Sequence, residues 1–425
     1  MSLAPARPRD PIGWTALLAL GFAALCAVRL TVPSGPFFDE IHYLPAARAI
    51  LALSHPVNPE HPPLGKELLA LGIALFGDNP LGWRIMPLLA GTLALFAFCR
   101  ALWFATCSRF AAIAGGVLLV CAVPLLVQAR IAMLDMFMAA FTWVALWMCA
   151  AALREQETAR WRLAIAGVAL GCAMASKWTA VPVAVLPGLA FLAVRLRSAG
   201  WRALTTRRGA PIGGIRLPEA ALWLGLVPLA AYALSYWPWW FYAQGAMAPG
   251  GLVELHRQML DLQSQALPPH TYQSRWYQWI VDWRPIWYLY EPIGGAQRGV
   301  LLLGNPLVML AGLPALGWCA WVGATQERQW AELAVAVLYA VSLGLWIVAA
   351  KNVQFYYHYF LPSCFLVAAL ALALDGLWRS GWRVLPLAVL AGAAALFAHF
   401  WPILTAAPLD GPLAFERWMW LPSWR

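Results

Sequence analysis

Apolar residues run along this chain in stretches of about twenty, the helical length that crosses roughly 30 Å of hydrocarbon. Short polar or Pro- and Gly-rich connections separate them. The pattern predicts spans at 12–32, 81–102, 108–128, 131–152, 162–175, 179–197, 219–236, 299–322, 330–349, 359–377 and 383–402. Lys177 interrupts an otherwise continuous apolar run. Two short spans meeting there keep its charge out of lipid, which one long helix would not. The expected fold class is therefore an all-α polytopic membrane protein, with about 11 spans by this length criterion.

Two connections are too long to be plain turns. Segment 33–80 is too polar to span, and is predicted to hold interfacial helices around Ile41–Leu53 and Leu64–Phe76, separated by Pro- and His-rich turns. Segment 237–298 is rich in Trp, Tyr and Pro. Structureless loops of that length are uncommon, so it is expected to form helices lying on the membrane surface. Stretch 198–218 reads as a flexible linker, no internal repeat is evident, and residues 1–425 are expected to form a single domain. Arg7 and Arg9 precede a first span that ends without a small-residue cleavage site, so that span is expected to be retained.

Composition supports this picture and orients it. The 425 residues are 62% hydrophobic and only 11% charged. Their net charge of +10 is dispersed among the connections, an orientation signal and not a nucleic-acid footprint; no nucleic-acid partner is expected. Arg100 and Arg109, then Arg154, Arg160 and Arg162, then Arg195 to Arg208, then Arg379 and Arg383 fall in alternate connections. By the positive-inside rule those connections and the N-terminus are cytoplasmic. Segments 33–80, 128–131, 176–178, 237–298 and 350–359 and the C-terminus are extracytoplasmic, in a multi-pass protein of the plasma (inner) membrane. Many of the 26 Trp cluster at the expected interfaces. The eight Cys sit in apolar surroundings without a Cys-x-x-Cys pair and read as small hydrophobes.

Where charge is this scarce, ionisable groups at a membrane boundary are candidates for function. Six polar clusters fall on the extracytoplasmic face: Asp39-Glu40; Glu60-His61 to Lys66; Arg130 with Asp135; Ser176-Lys177-Trp178; His270 to Trp276; and Lys351 to His358. Each has a plainer reading. Asp39 could cap a helix, Lys66 and Arg130 could snorkel to headgroups, His61 could be a turn residue, and Phe355–Tyr359 an interfacial belt. Together they suit a phosphate-bearing lipid: cations bind the phosphate and a carboxylate deprotonates a hydroxyl nucleophile. No Walker A, His-Glu-x-x-His, Gly-x-Ser-x-Gly or dinucleotide fingerprint is present, which disfavours a cytosolic nucleotide-driven machine.

The ordered motifs resemble a known family. Phe37-Phe38-Asp39-Glu40-Ile41-His42-Tyr43 and His61-Pro62-Pro63-Leu64-Gly65-Lys66 are similar to the first external loop of protein O-mannosyltransferases, glycosyltransferase family 39 of the GT-C fold. The likeness continues through Arg130 to Asp135, Ser176-Lys177-Trp178, His270 to Trp276, Arg284 to Glu291, Gly304 to Leu307 and Phe355 to Pro362. The chain lacks the β-trefoil domain that eukaryotic members insert in the long external loop, as bacterial relatives do.

The resemblance implies inverting transfer of a sugar, mannose in the leading reading, from a polyprenyl phosphate to Ser or Thr hydroxyls of a translocated protein. Asp39 would be the general base, and Glu40 would orient the acceptor or support the site. Arg130 and Lys177 would contact the donor phosphate; His61 and Lys66 would shape the first loop around the donor. Asp135, Tyr272, Arg275, Lys351, Tyr356 and His358 would line the donor or acceptor groove. No cofactor or metal is implied, the lipid-linked sugar being a substrate. Two alternatives stay open: the same donor chemistry on a lipid or glycan acceptor, and a lipid or sugar transporter. Transporters place ionisable groups near mid-membrane in paired halves, whereas here they gather at one face. Oligomeric state is not legible.

Overall fold

The computed structural model describes residues 8–327, 329–349 and 351–425. At the positions of the expected spans lie the helices α1 (Ile12–Ala27), α4 (Pro80–Thr106), α5 (Arg109–Cys121), α6 (Leu134–Arg154), α7 (Ala159–Ser176), α8 (Leu186–Ala199), α9 (Val227–Leu234), α11 (Pro306–Thr325), α12 (Trp330–Val348), α13 (Phe360–Arg379) and α14 (Val384–Leu404). Between them lie the helices α2 (Glu40–Ala52), α3 (Leu64–Phe76) and α10 (Gly251–Ser264). Among the described residues eight helical stretches are long and apolar enough to cross a membrane, including Trp178–Leu204 and Leu217–Phe241, each assembled from shorter pieces. Three of the expected spans, at α1, α5 and α7, are helical but shorter or less apolar, so the length and composition criterion supports eight.

Helix α13 is apolar on all sides and mostly buried, as a helix enclosed by others should be. It packs against α11, α12 and α5, while α6 lies along α4 and α7. Helix α7 meets α9 and the turn before it through Gly167-x-x-x-Gly171, the small-residue spacing that lets membrane helices approach closely. A Cβ at Gly167 would lie 2.0 Å from the Trp223 carbonyl oxygen, so no larger side chain fits without backbone movement.

Two elements depart from expectation. Residues 286–302 form neither helix nor the start of a span but an antiparallel hairpin, β1 (Ile286–Ile293) and β2 (Ala296–Leu302). Its turn is Gly294-Gly295, both at positive φ, flanked by β-branched and aromatic residues that favour strands. The following helix starts only at Pro306, where the Asn305 side chain accepts from Leu307 N and Val308 N. The 198–218 stretch is not a slack linker. The Arg195 guanidinium, buried, donates to the carbonyls of Arg208 (2.7 Å), Ile212 (2.7 Å) and Ile215 (2.8 Å) and so gathers the loop around one cation. The residues after α14 fold back on the hairpin: Leu409 N donates to Gln297 O at 2.8 Å, and the Trp424 indole to Asp282 O at 2.7 Å.

Candidate active site

The chain enters the site through Phe38, whose φ of +51° is left-handed, a conformation that costs a bulky residue about 1–2 kcal/mol. Its ring stacks on Tyr288 of β1 at 3.9 Å and meets Tyr357 edge-on at 5.9 Å, contacts that hold the backbone there. Helix α2 starts directly afterwards, and its first two acidic residues part company.

Glu40 turns inward and is 0% exposed, as is Arg84 of α4. They form a two-pronged pair, Nε to Oε1 and Nη2 to Oε2, both at 2.8 Å. Arg84 also donates to the carbonyls of Leu30, Pro33 and Gly35, so all five of its N–H groups are satisfied. Glu40 accepts further bonds from Phe37 N and Ala132 N. It therefore ties the first loop to α4 and to the turn before α6. Arg84 was not among the expected site residues; the signal for it was an Arg placed inside an apolar span.

Asp39 stays partly accessible at the start of α2 and makes no cap hydrogen bond, which removes the capping explanation for it. Burial pushes its carboxyl above the usual carboxylate range. Lys177, His42 and Lys351 pull it back and Asp135 adds to the rise. Lys177 is held extended after α7, 4% exposed, with Nζ 2.7 Å from Asp135 Oδ2 and 5.1 Å from the Tyr357 ring centroid. Lys351 is half-buried and carries no ion pair among the described residues; burial first, then Lys177, depresses its ammonium. Asp39, Asp135, Lys177 and Lys351 thus share one electrostatic neighbourhood.

His61 borders it. Burial and then Lys177, Lys66 and Lys351 drive its imidazole well below the ordinary range. Its Nδ1 lies 3.3 Å from Gln263 Nε2, an amide donor, which leaves the ring proton on Nε2. Lys66 donates to the carbonyls of Asn58 and His61, both at 2.7 Å, and burial lowers it to about 7. It therefore shapes the turn bearing His61. His358 is buried against Trp346 at 3.8 Å, its Nδ1 accepting from Phe355 N. With Asp135, Thr179 and Tyr357 these two rings line a narrow crevice beside the pair.

Four expected site residues make contacts of their own. Arg130 is bonded to the end of α1, donating to the carbonyls of Cys26 (2.5 Å), Val28 (2.6 Å) and Arg29 (3.3 Å), which gives its charge a structural employment. Tyr356 turns away, its hydroxyl lying where a Cβ on Gly304 would come within 2.7 Å; its neighbour Tyr357 is the ring beside Lys177. Tyr272 stacks under Arg284 at 5.7 Å, and Arg275 is exposed at the start of a short helix. Among the described residues no three His, Cys, Asp or Glu side chains gather as metal ligands.

Comparison with known proteins bears on the fold and the family. Residues 60–207 match the family model for dolichyl-phosphate-mannose-protein mannosyltransferase, and residues 250–424 that for the C-terminal four-transmembrane region of protein O-mannosyltransferase. The chain belongs to the protein O-mannosyltransferase family. Within this family, the polyprenol-phosphate-mannose–protein mannosyltransferase of Mycolicibacterium smegmatis is 29% identical, over 92% of this chain and 88% of that protein. The same-named protein of Mycobacterium tuberculosis is 29% identical over 97% and 91%. The S. cerevisiae Pmt1–Pmt2 complex bound to the sugar donor shares the GT-C fold, with a TM-score of 0.78 at 14% identity, covering 99% of this chain and 96% of that one. This O-mannosyltransferase family member is an integral multi-pass membrane protein.

Proposed function

We propose that this chain transfers mannose from a polyprenyl-phosphate donor to Ser or Thr hydroxyls of proteins at the extracytoplasmic face of the inner membrane, with its N-terminus cytoplasmic. The relatives' names support the donor and the acceptor class. The observation that carries the residue assignment is Asp39: an uncapped carboxylate whose proton affinity is raised by burial, beside two lysines.

Asp39 takes the proton of the acceptor hydroxyl as its oxygen attacks the sugar C1. The bond from C1 to the phosphate oxygen breaks, the configuration at C1 inverts, and polyprenyl phosphate leaves with one more negative charge. A base with a raised proton affinity removes a hydroxyl proton more readily than an ordinary carboxylate, provided it is ionised at the working pH. Lys177 and Lys351 face the leaving phosphate. Charge developing there in a site shielded from water is stabilised more strongly than in bulk solvent. Asp135 holds Lys177 in place, and Glu40 with Arg84 fixes the turn from which Asp39 projects.

The test uses the full chain in lipid nanodiscs, radiolabelled polyprenyl-phosphate mannose, and separately a Ser/Thr-rich peptide and a glycolipid acceptor. Label in the peptide is the expected result. Label only in the glycolipid selects a lipid acceptor with the same donor chemistry, and label in neither overturns the assignment.

A further inference from the structure

Helix α10 has one face turned to the protein, with Leu255 and Met259 buried and His256 and Gln263 half-buried, while Glu254, Arg257, Gln258 and Asp261 face outward. His256 and Gln263 are seven residues apart, two helical turns along that inner face, so about 10 Å separates them. Each makes hydrogen bonds that the transfer mechanism does not use, and each set ends at a different part of the site.

The directions at His256 are fixed by its partners. Its Nδ1 is 2.6 Å from the Leu252 carbonyl oxygen, which can only accept, so Nδ1 carries the proton and Nε2 is an acceptor. The Tyr232 hydroxyl, 2.7 Å away, donates to Nε2. That hydroxyl in turn accepts from the Trp178 indole at 2.8 Å and lies 2.7 Å from the Tyr236 hydroxyl. Trp178 follows Lys177 directly, and its ring stacks on the His256 imidazole at 5.8 Å. At the other end, Gln263 Nε2 donates to Glu60 O at 2.9 Å and lies 3.3 Å from His61 Nδ1.

We propose that His256 and Gln263 are positioning residues of the transfer site, one fixing the Lys177 turn through Tyr232 and Trp178, the other fixing the His61 turn. Helix α10 is then a clasp between two turns that belong to different parts of the chain. The lysine that meets the donor phosphate and the loop that carries His61 hold their spacing because one rigid helix is bonded to both. This rests on the proposed function for what Lys177 contacts, but the clasp itself is a statement about the two turns.

Two readouts on the full chain in nanodiscs separate the parts: hydrogen–deuterium exchange at residues 176–180 and 58–66, and donor KM against kcat. His256→Ala should speed exchange at 176–180 and raise donor KM by roughly tenfold, the effect of losing one buried hydrogen-bond partner. His256→Gln, whose carbonyl oxygen can accept from Tyr232, should restore both. Gln263→Ala should loosen 58–66 instead, and Gln258→Ala on the outer face should change neither readout. Unchanged exchange in both inner-face variants overturns the clasp, and faster exchange with wild-type kinetics overturns the positioning role. Transfer of label to neither acceptor by the wild-type chain would overturn the proposed function while leaving the exchange result for the clasp intact.

Discussion

Asp39 and Glu40 are neighbours with opposite fates, and the difference lies in what each can reach. Glu40 meets Arg84 in the core, where a charge needs a partner because water is absent. Replacing Arg84 with Met strands that carboxylate, and roughly 3–5 kcal/mol of stability should be lost. A thermal melt in nanodiscs reads this; a melt within about 1 kcal/mol of wild type would show that the pair is not what secures the loop. Asp39 acts as a base only when ionised, so activity should fall as pH drops through its raised pKa. The acid limb of kcat/KM should therefore lie above the ordinary carboxylate range of about 4. Lys351 favours the ionised form, so Lys351→Met should move that limb to still higher pH. A limb that stays put or moves down contradicts the shared neighbourhood. The Asp-Glu pair was legible in the sequence as a rare charge. Its division of labour was implied by the resemblance alone, and the partner of Glu40 was not legible, because Arg84 lies 44 positions away and only packing brings them together. The same limit explains Arg130, whose partners are carbonyls at the end of α1 that no side-chain pattern announces.

At the scale of elements, the apolar runs located the membrane helices, and the break at Lys177 proved to be the end of α7 at Ser176. Helices α2 and α3 lie where the polar first loop suggested. The hairpin was missed although its signal was present, a β-branched and aromatic run ended by Gly-Gly. The Trp- and Tyr-rich composition of that segment fitted a membrane-surface helix equally well. The Gly167-x-x-x-Gly171 stripe carries a sharper consequence. Gly167→Leu pushes a side chain into the Trp223 carbonyl and should cost about 1–3 kcal/mol, read as a lowered melting temperature. An unchanged melt would mean that α7 and the Trp223 turn are not in this close contact.

Across the whole molecule, the site is assembled from parts far apart in sequence: the first loop, the starts of α6 and of the helix after Lys177, β1, and the segment before α13. All of them lie in, or at the ends of spans bordering, connections assigned to the same side by the distribution of Arg and Lys, which is why one face could be singled out from sequence alone. What sequence could not supply was the pairing within that face, such as Lys177 with Asp135 and Phe38 with Tyr288. The central claim is that Asp39 is the base, and single-turnover transfer of labelled mannose to a Ser/Thr peptide by Asp39→Asn tests it most directly. A correctly folded variant, with its melting temperature kept, should be slower by roughly 10²–10⁴-fold. A wild-type rate would contradict the assignment.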